Sequence, residues 1–283
     1  MSGREKALSA AVRLAIFAAL GLAGLRVLAT LLYWLTGNLL VTSTVAVFVS
    51  AAIANALCMR IYEGATLAQA GLCWSAASRR HLALGLGCGA GAALSLVAGA
   101  VICRAAQIGP AEAGEGGWTV AFFASVLLLL GAAGEEMLFH GYGFQILMGA
   151  FGAWSAILPV SVLFALAHRG NLNITPLGLA NTLGWGVLLG YAFWRSGDLW
   201  LPIGLHAGWN LALPVAGVPL SGFTMNLTGY ALRWRAGPLW SGGDYGLEAS
   251  VLTSLMLAAL GIVLGRAPIA RQRALLLEAR EEG

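Results

Sequence analysis

Long runs without a single Asp, Glu, Lys or Arg constrain this chain more than any other feature. They cover residues 27–59, 81–103, 116–134, 137–168, 170–194, 199–232 and 249–265. A helix needs about 20 apolar residues to cross roughly 30 Å of hydrocarbon, so these runs read as membrane spans. Three of them, 27–59, 137–168 and 199–232, are too long for one span and hold internal breaks. The spacing predicts eight spans, at about 11–36, 39–58, 82–103, 118–147, 152–168, 176–195, 199–214 and 248–266. The expected fold is an all-α, polytopic membrane bundle forming a single domain over 1–283.

Composition closes off the soluble alternative. Only 10% of residues are charged and 59% are hydrophobic, against about 25% charged in an average soluble domain. The net charge of +4 does not imply nucleic acid, because the basic residues sit at segment ends and not on one face. One set of ends carries positions 4, 6, 13, 60, 79, 80, 195, 266, 271, 273 and 280; the other carries Arg104, Arg169, Arg233 and Arg235. The positive-inside rule then places both termini, and a tail over 267–283, in the cytoplasm. The first span reads as retained and not as a cleaved signal. A multi-pass protein of a bacterial inner membrane is expected.

Between the seventh and eighth spans, 215–247 reads as an irregular interfacial loop, rich in Gly and Pro and carrying Trp234 and Trp240. Gly85, Gly87, Gly89 and Gly91 lie in an apolar run with no preceding strand, which suits close helix packing and not a dinucleotide loop. Cys58, Cys73, Cys88 and Cys103 have no metal-type spacing and read as small packing residues. His81, beside Arg79 and Arg80, reads as a loop residue, and Arg26 as a snorkelling or internally paired cation.

Ionisable groups at membrane depth are expensive, so each needs a reason. Glu135, Glu136, His140, His168 and His206 cluster in the second half, with Asn181 and Asn210 as the notable amides. On a helix, Glu136 and His140 share a face while Glu135 points away; His206 and Asn210 likewise lie side by side. At about 1.5 Å per residue, Glu135 lies about 18 Å from Leu147 and His168 about 24 Å from Gly152, so an antiparallel hairpin lets the two meet. A carboxylate with an imidazole opposite suits activation of water, and a second imidazole with an amide suits an oxyanion. The same residues are also a zinc-type donor set, Glu135, His168 and His206, so the cofactor is either none or a divalent metal.

The strings Glu135-Glu136 with His140-Gly141, Phe164 with His168, and His206 with Asn210 resemble the motifs of the CAAX protease and bacteriocin-processing (CPBP, or Abi) family of intramembrane proteases, related to type II CAAX prenyl endopeptidases. The resemblance covers roughly 118–214. It implies an eight-helix bundle in which Glu135 and His168 activate water, His206 and Asn210 stabilise the oxyanion, and Glu136 and His140 support them. The family usually carries Arg where this chain has His140, and a histidine is expected to pair with Glu136 only when protonated. Implied partners are the lipid bilayer and a membrane-associated, possibly lipidated, peptide or protein substrate.

The expected activity is thus intramembrane peptide hydrolysis, placed near the cytoplasmic half of the bilayer. Two alternatives stay open: a catalytically silent scaffold or immunity protein on the same bundle, and a proton-coupled transporter. Polar groups that converge on one water-sized point favour hydrolysis, whereas a chain of them across the membrane favours transport.

Overall fold

The computed structural model describes residues 3–111, 117–272 and 274–278. Arg273, Arg280 and the last residues of the 267–283 tail therefore lie outside the described residues. The chain is mostly helical: α1 (Gly3–Thr36), α2 (Leu39–Cys58), α3 (Ala76–Ile102), β1 (Ala106–Pro110), α4 (Trp118–His140), α5 (Tyr142–Phe151), α6 (Ala153–Ala167), α7 (Pro176–Ser196), α8 (Trp200–Val215), β2 (Tyr230–Trp234), α9 (Pro238–Ser241), α10 (Val251–Arg266) and α11 (Leu275–Glu278). Four stretches, Arg4–Thr36, Leu39–Glu63, Ala76–Ile102 and Trp118–Phe151, are long and apolar enough to cross a membrane, and Ala153–Ala167 and Val251–Arg266 are shorter apolar helices. Large apolar side chains such as Leu22, Val27, Phe122, Phe123, Leu163 and Ile262 face outward. A belt of that kind belongs against lipid.

Local chemistry starts the helices where the sequence changes character. The Asn38, Ser75, Thr175 and Ser250 side chains accept backbone N–H groups of Val41, Ser78, Gly178 and Thr253 and so cap α2, α3, α7 and α10. The last of these moves an expected boundary. The final span begins at Val251, leaving Glu248 in a short turn ahead of it.

Two further expectations change. The 118–147 span is broken at Gly141, where Asn55 of α2 enters the gap: its Nδ2 donates to Met137 O and its Oδ1 accepts the Tyr142 N–H. A Cβ on Gly141 would collide with Met137 O and Asn55 Oδ1, so the break needs glycine. The 215–247 loop is not wholly irregular, and the fold not wholly α, because β2 pairs antiparallel with β1. The backbone groups of two exposed connections satisfy one another across that pair.

The tightest helix pair is α3 against α8. A Cβ on Gly204 or Gly208 would lie 2.5 Å from Leu82 O or Leu86 O, and one on Gly85 would lie 2.5 Å from Leu201 O. Gly89 meets Leu205 O in the same way. Glycine on both helices lets the backbones touch, which is how helices associate where no hydrophobic force acts between them. His206 lies between Gly204 and Gly208, so this contact fixes its depth and rotation.

At the foot of α8, His81 corrects its loop reading. It is a buried residue of α3 whose Nδ1 lies 2.7 Å from Asp198 Oδ2. Asp198 Oδ1 in turn accepts the Trp200 and Leu201 N–H groups at the start of α8. Arg26 is exposed on the outside of α1.

Candidate functional site

Helical spacing sends the two adjacent glutamates of α4 in different directions. Glu136 is fully buried; its Oε2 lies 2.7 Å from His140 Nδ1 and its Oε1 2.8 Å from His206 Nδ1. A carboxylate only accepts, so both imidazoles donate from Nδ1. This revises the role expected of His140, since a neutral ring protonated at Nδ1 makes the bond without carrying charge. The His140 Nε2 is buried without a hydrogen-bond partner among the described residues, and its ring packs edge-on against Phe144.

Glu135 faces the other way. Its side chain is 27% exposed, and its Oε2 lies 3.6 Å from His168 Nε2 and 3.9 Å from His206 Nε2. Among the described residues no hydrogen bond reaches that oxygen. His168 caps the end of α6 and donates from Nδ1 to Phe164 O at 2.7 Å. The Phe-x-x-x-His string thus has a mechanical content: the carbonyl one turn back fixes the ring, and Phe164 packs beside it. Both histidines consequently present Nε2 to Glu135.

These groups border a cavity of about 60 Å³, with Asn210, Ser221 and Glu248 among its other walls. A water needs roughly 10–15 Å³ by this measure, so a few waters fit. A wider groove of about 550 Å³ shares Glu135, His168, Asn210 and Ser221, and continues between the start of α2, the side of α4 and residues 220–225. The groove therefore opens where α1 turns into α2. That end is opposite the one holding Arg195 and Arg266.

Glu248 was not anticipated. Its Oε2 accepts from Ser221 N (2.6 Å) and Ser221 Oγ (3.0 Å), and its Oε1 from Trp209 Nε1 (3.3 Å). Burial raises its pKa above the ordinary carboxylate value, against the Ser221 hydrogen bonds and the nearby His168, which favour the ionised form. Burial, with Glu248 beside it, also pushes the Tyr245 hydroxyl up to about 12. Ser221 has φ 49, a left-handed conformation that is uncommon for a residue with a side chain. The Glu248 bonds to its N–H and hydroxyl hold it there. Asn181, singled out only as a buried amide, ties this segment to α7 by donating to Glu248 O and Ser250 O. The signal that could have found Glu248 is the one that found Glu135: an acid at the edge of an apolar run.

The donor types of Glu135, His168 and His206 suit zinc, but their arrangement does not form a metal centre. Among the described residues no group of three His, Cys, Asp or Glu side chains is placed to hold a metal ion.

Comparison with known proteins agrees with the motifs. Residues 117–212 match the family described as Type II CAAX prenyl endopeptidase Rce1-like. No curated protein and no solved structure matches the chain.

Proposed function

The chain carries a domain of the Rce1-like type II CAAX prenyl endopeptidase family over residues 117–212, and on that basis we propose that it is an intramembrane endopeptidase. It is a multi-pass protein of a bacterial inner membrane, and it hydrolyses a peptide bond of a membrane-associated protein. The observation that carries this reading is the convergence of Glu135 Oε2 and the Nε2 atoms of His168 and His206 on a water-sized cavity that continues into a groove.

The chemistry follows from the tautomers. Glu135, which makes no competing hydrogen bond, takes a proton from water in the cavity, with His168 Nε2 as the adjacent acceptor. The hydroxide attacks the scissile carbonyl. His206, already donating from Nδ1 to Glu136, donates from Nε2 only as an imidazolium, and the buried Glu136 carboxylate compensates that charge. His206 and the Asn210 amide then hold the developing oxyanion. Collapse of the tetrahedral intermediate returns the proton through Glu135 or His168 to the leaving amine. His140 and Glu136 do not meet the substrate; they orient His206.

A proton relay across the membrane is less well supported, because the titratable groups gather at one point and do not string between faces. The deciding experiment uses reconstituted protein and internally quenched peptides with and without a prenylated cysteine. Wild type is expected to cleave at least one, Glu135→Gln none, and chelator is expected to leave cleavage unchanged. Cleavage surviving in Glu135→Gln rejects the assigned base; no cleavage by wild type leaves the silent-scaffold reading; loss with chelator rejects the metal-free mechanism.

A further inference from the structure

The groove and the basic residues occupy opposite ends of the bundle. Arg13 pairs with Glu63 at the foot of α1, Arg79 and Arg80 begin α3, Arg195 ends α7 and Arg266 ends α10. Helix alternation puts all of these at one end, joined there by backbone contacts such as Leu199 N to Gly71 O and Gln272 N to Ser196 O. The groove is walled by Gly37–Leu40, Asn171 and residues 220–225, all at the other end. That end holds Arg104, Arg169, Arg233 and Arg235, and two of these are bound within the β1–β2 region: Arg233 to Pro110 O and Arg235 to Gln107 Oε1. Positively charged loops stay in the cytoplasm.

The groove itself has a definite chemistry. Its walls are built from Leu, Gly, Ala, Ser, Thr, Asn, Phe and Met, with Glu135 and His168 as the ionisable groups at its inner end and no Lys or Arg among them. A free C-terminal carboxylate would meet Glu135 and find no Lys or Arg on these walls, and the one imidazole there, His168, already faces Glu135. An uncharged stretch within a polypeptide fits better, its backbone groups meeting the hydroxyls and amides.

We propose that the groove opens on the non-cytoplasmic face of the membrane and admits an uncharged internal segment of an exported, membrane-anchored polypeptide. The inference rests on the peptidase reading for its substrate, but the sidedness stands on geometry and charge alone. It separates this chain from any enzyme whose substrate tail lies in the cytoplasm.

Two native cysteines make the sidedness directly testable. Cys73 and Cys103 are both exposed, Cys73 at the basic end beside Trp200 and Cys103 at the end of α3 near β1. A membrane-impermeant maleimide applied to intact spheroplasts is expected to label wild type and Cys73→Ser but not Cys103→Ser. Permeabilised cells should then show both sites. Labelling of Cys73 from outside overturns the proposal. The second arm co-expresses wild type or Glu135→Gln with two anchored reporters, carrying the same uncharged segment on the exported or the cytoplasmic side. Cleavage of the exported reporter by wild type only is the expected result; cleavage of the cytoplasmic one alone overturns the proposal. If labelling is as expected and neither reporter is cut, the substrate assignment is overturned while the groove's sidedness is supported, and cleavage of the quenched peptides decides the peptidase reading separately.

Discussion

Glu136 and His206 lie 70 residues apart in the chain and are joined by a 2.8 Å hydrogen bond, Oε1 to Nδ1, inside the bundle. The other oxygen of the same carboxylate holds His140. One buried acid thus sets the orientation of a histidine on its own helix and of another on α8, and neither its position nor its exposure lets it reach the cavity.

Replacing this acid tests its orienting role. Glu136→Gln puts an amide N–H₂ against one of two imidazole N–H donors, so one bond is lost. The expected result is a fall in kcat of about 10²-fold with a smaller change in KM, and a loss of about 1–3 kcal/mol of stability. Steady-state kinetics and thermal unfolding in detergent measure the two. An unchanged kcat would show that His206 needs no such support.

Glu135→Gln should behave in the opposite way. Its Oε2 makes no hydrogen bond in the resting structure, so the substitution is expected to shift stability by less than about 0.5 kcal/mol while lowering kcat by about 10³-fold. The same two measurements decide it. A large destabilisation would indicate that Glu135 is a packing partner and not a base.

Glu248 gives a pH signature with a definite sign. Its folded-state pKa is raised by burial above that of an ordinary solvated carboxylate, so the native state binds the proton more tightly than the unfolded chain. Stability from this group is therefore present below about 4.5 and declines as pH rises through the folded value. His168 across the cavity and Tyr245 in the same segment are the titratable groups nearest to it. Unfolding midpoints measured against pH should fall faster for wild type than for Glu248→Gln; parallel curves would remove Glu248 as the source.

The α3–α8 contact predicts a remote effect on the site. Gly208→Ala places a Cβ 2.5 Å from Leu86 O and 2.9 Å from Ala90 N, so the helices must separate. Overpacking of this kind costs about 1–3 kcal/mol, and His206 and Asn210 move with α8. Activity is expected to drop well beyond the loss of folded protein, read as kcat per folded molecule. Gly87→Ala is the control, since nothing lies within 4 Å of its added methyl.

The parts of the site that were legible in the sequence are those governed by helical period. Glu136 and His140 meet because residues four apart eclipse, and His168 is oriented by Phe164 for the same reason. The glycines of 85–91 announced a close helix contact, although not its partner. His81 was misread because a histidine beside two arginines looks solvated until Asp198, 117 residues away, is placed against it. Glu248 is not legible in the sequence because it adjoins a charge-free run and reads as the first residue of a span, whereas it lies in a short turn ahead of α10.

The sequence by itself determined a membrane solvent, through charge-free runs that no aqueous surface could accommodate, and it determined which few polar residues required explanation. Only the tertiary structure decided their grouping. Glu136 holds His206, Glu135 faces two bare Nε2 atoms, Glu248 braces Ser221, and the groove opens at the end with few basic residues. Periodicity fixes what one helix presents to its own neighbours in sequence. The depth and rotation of one helix against another come from backbone contact, as between Gly89 and Leu205 or Gly208 and Leu86, and those contacts exist only once the chain has packed.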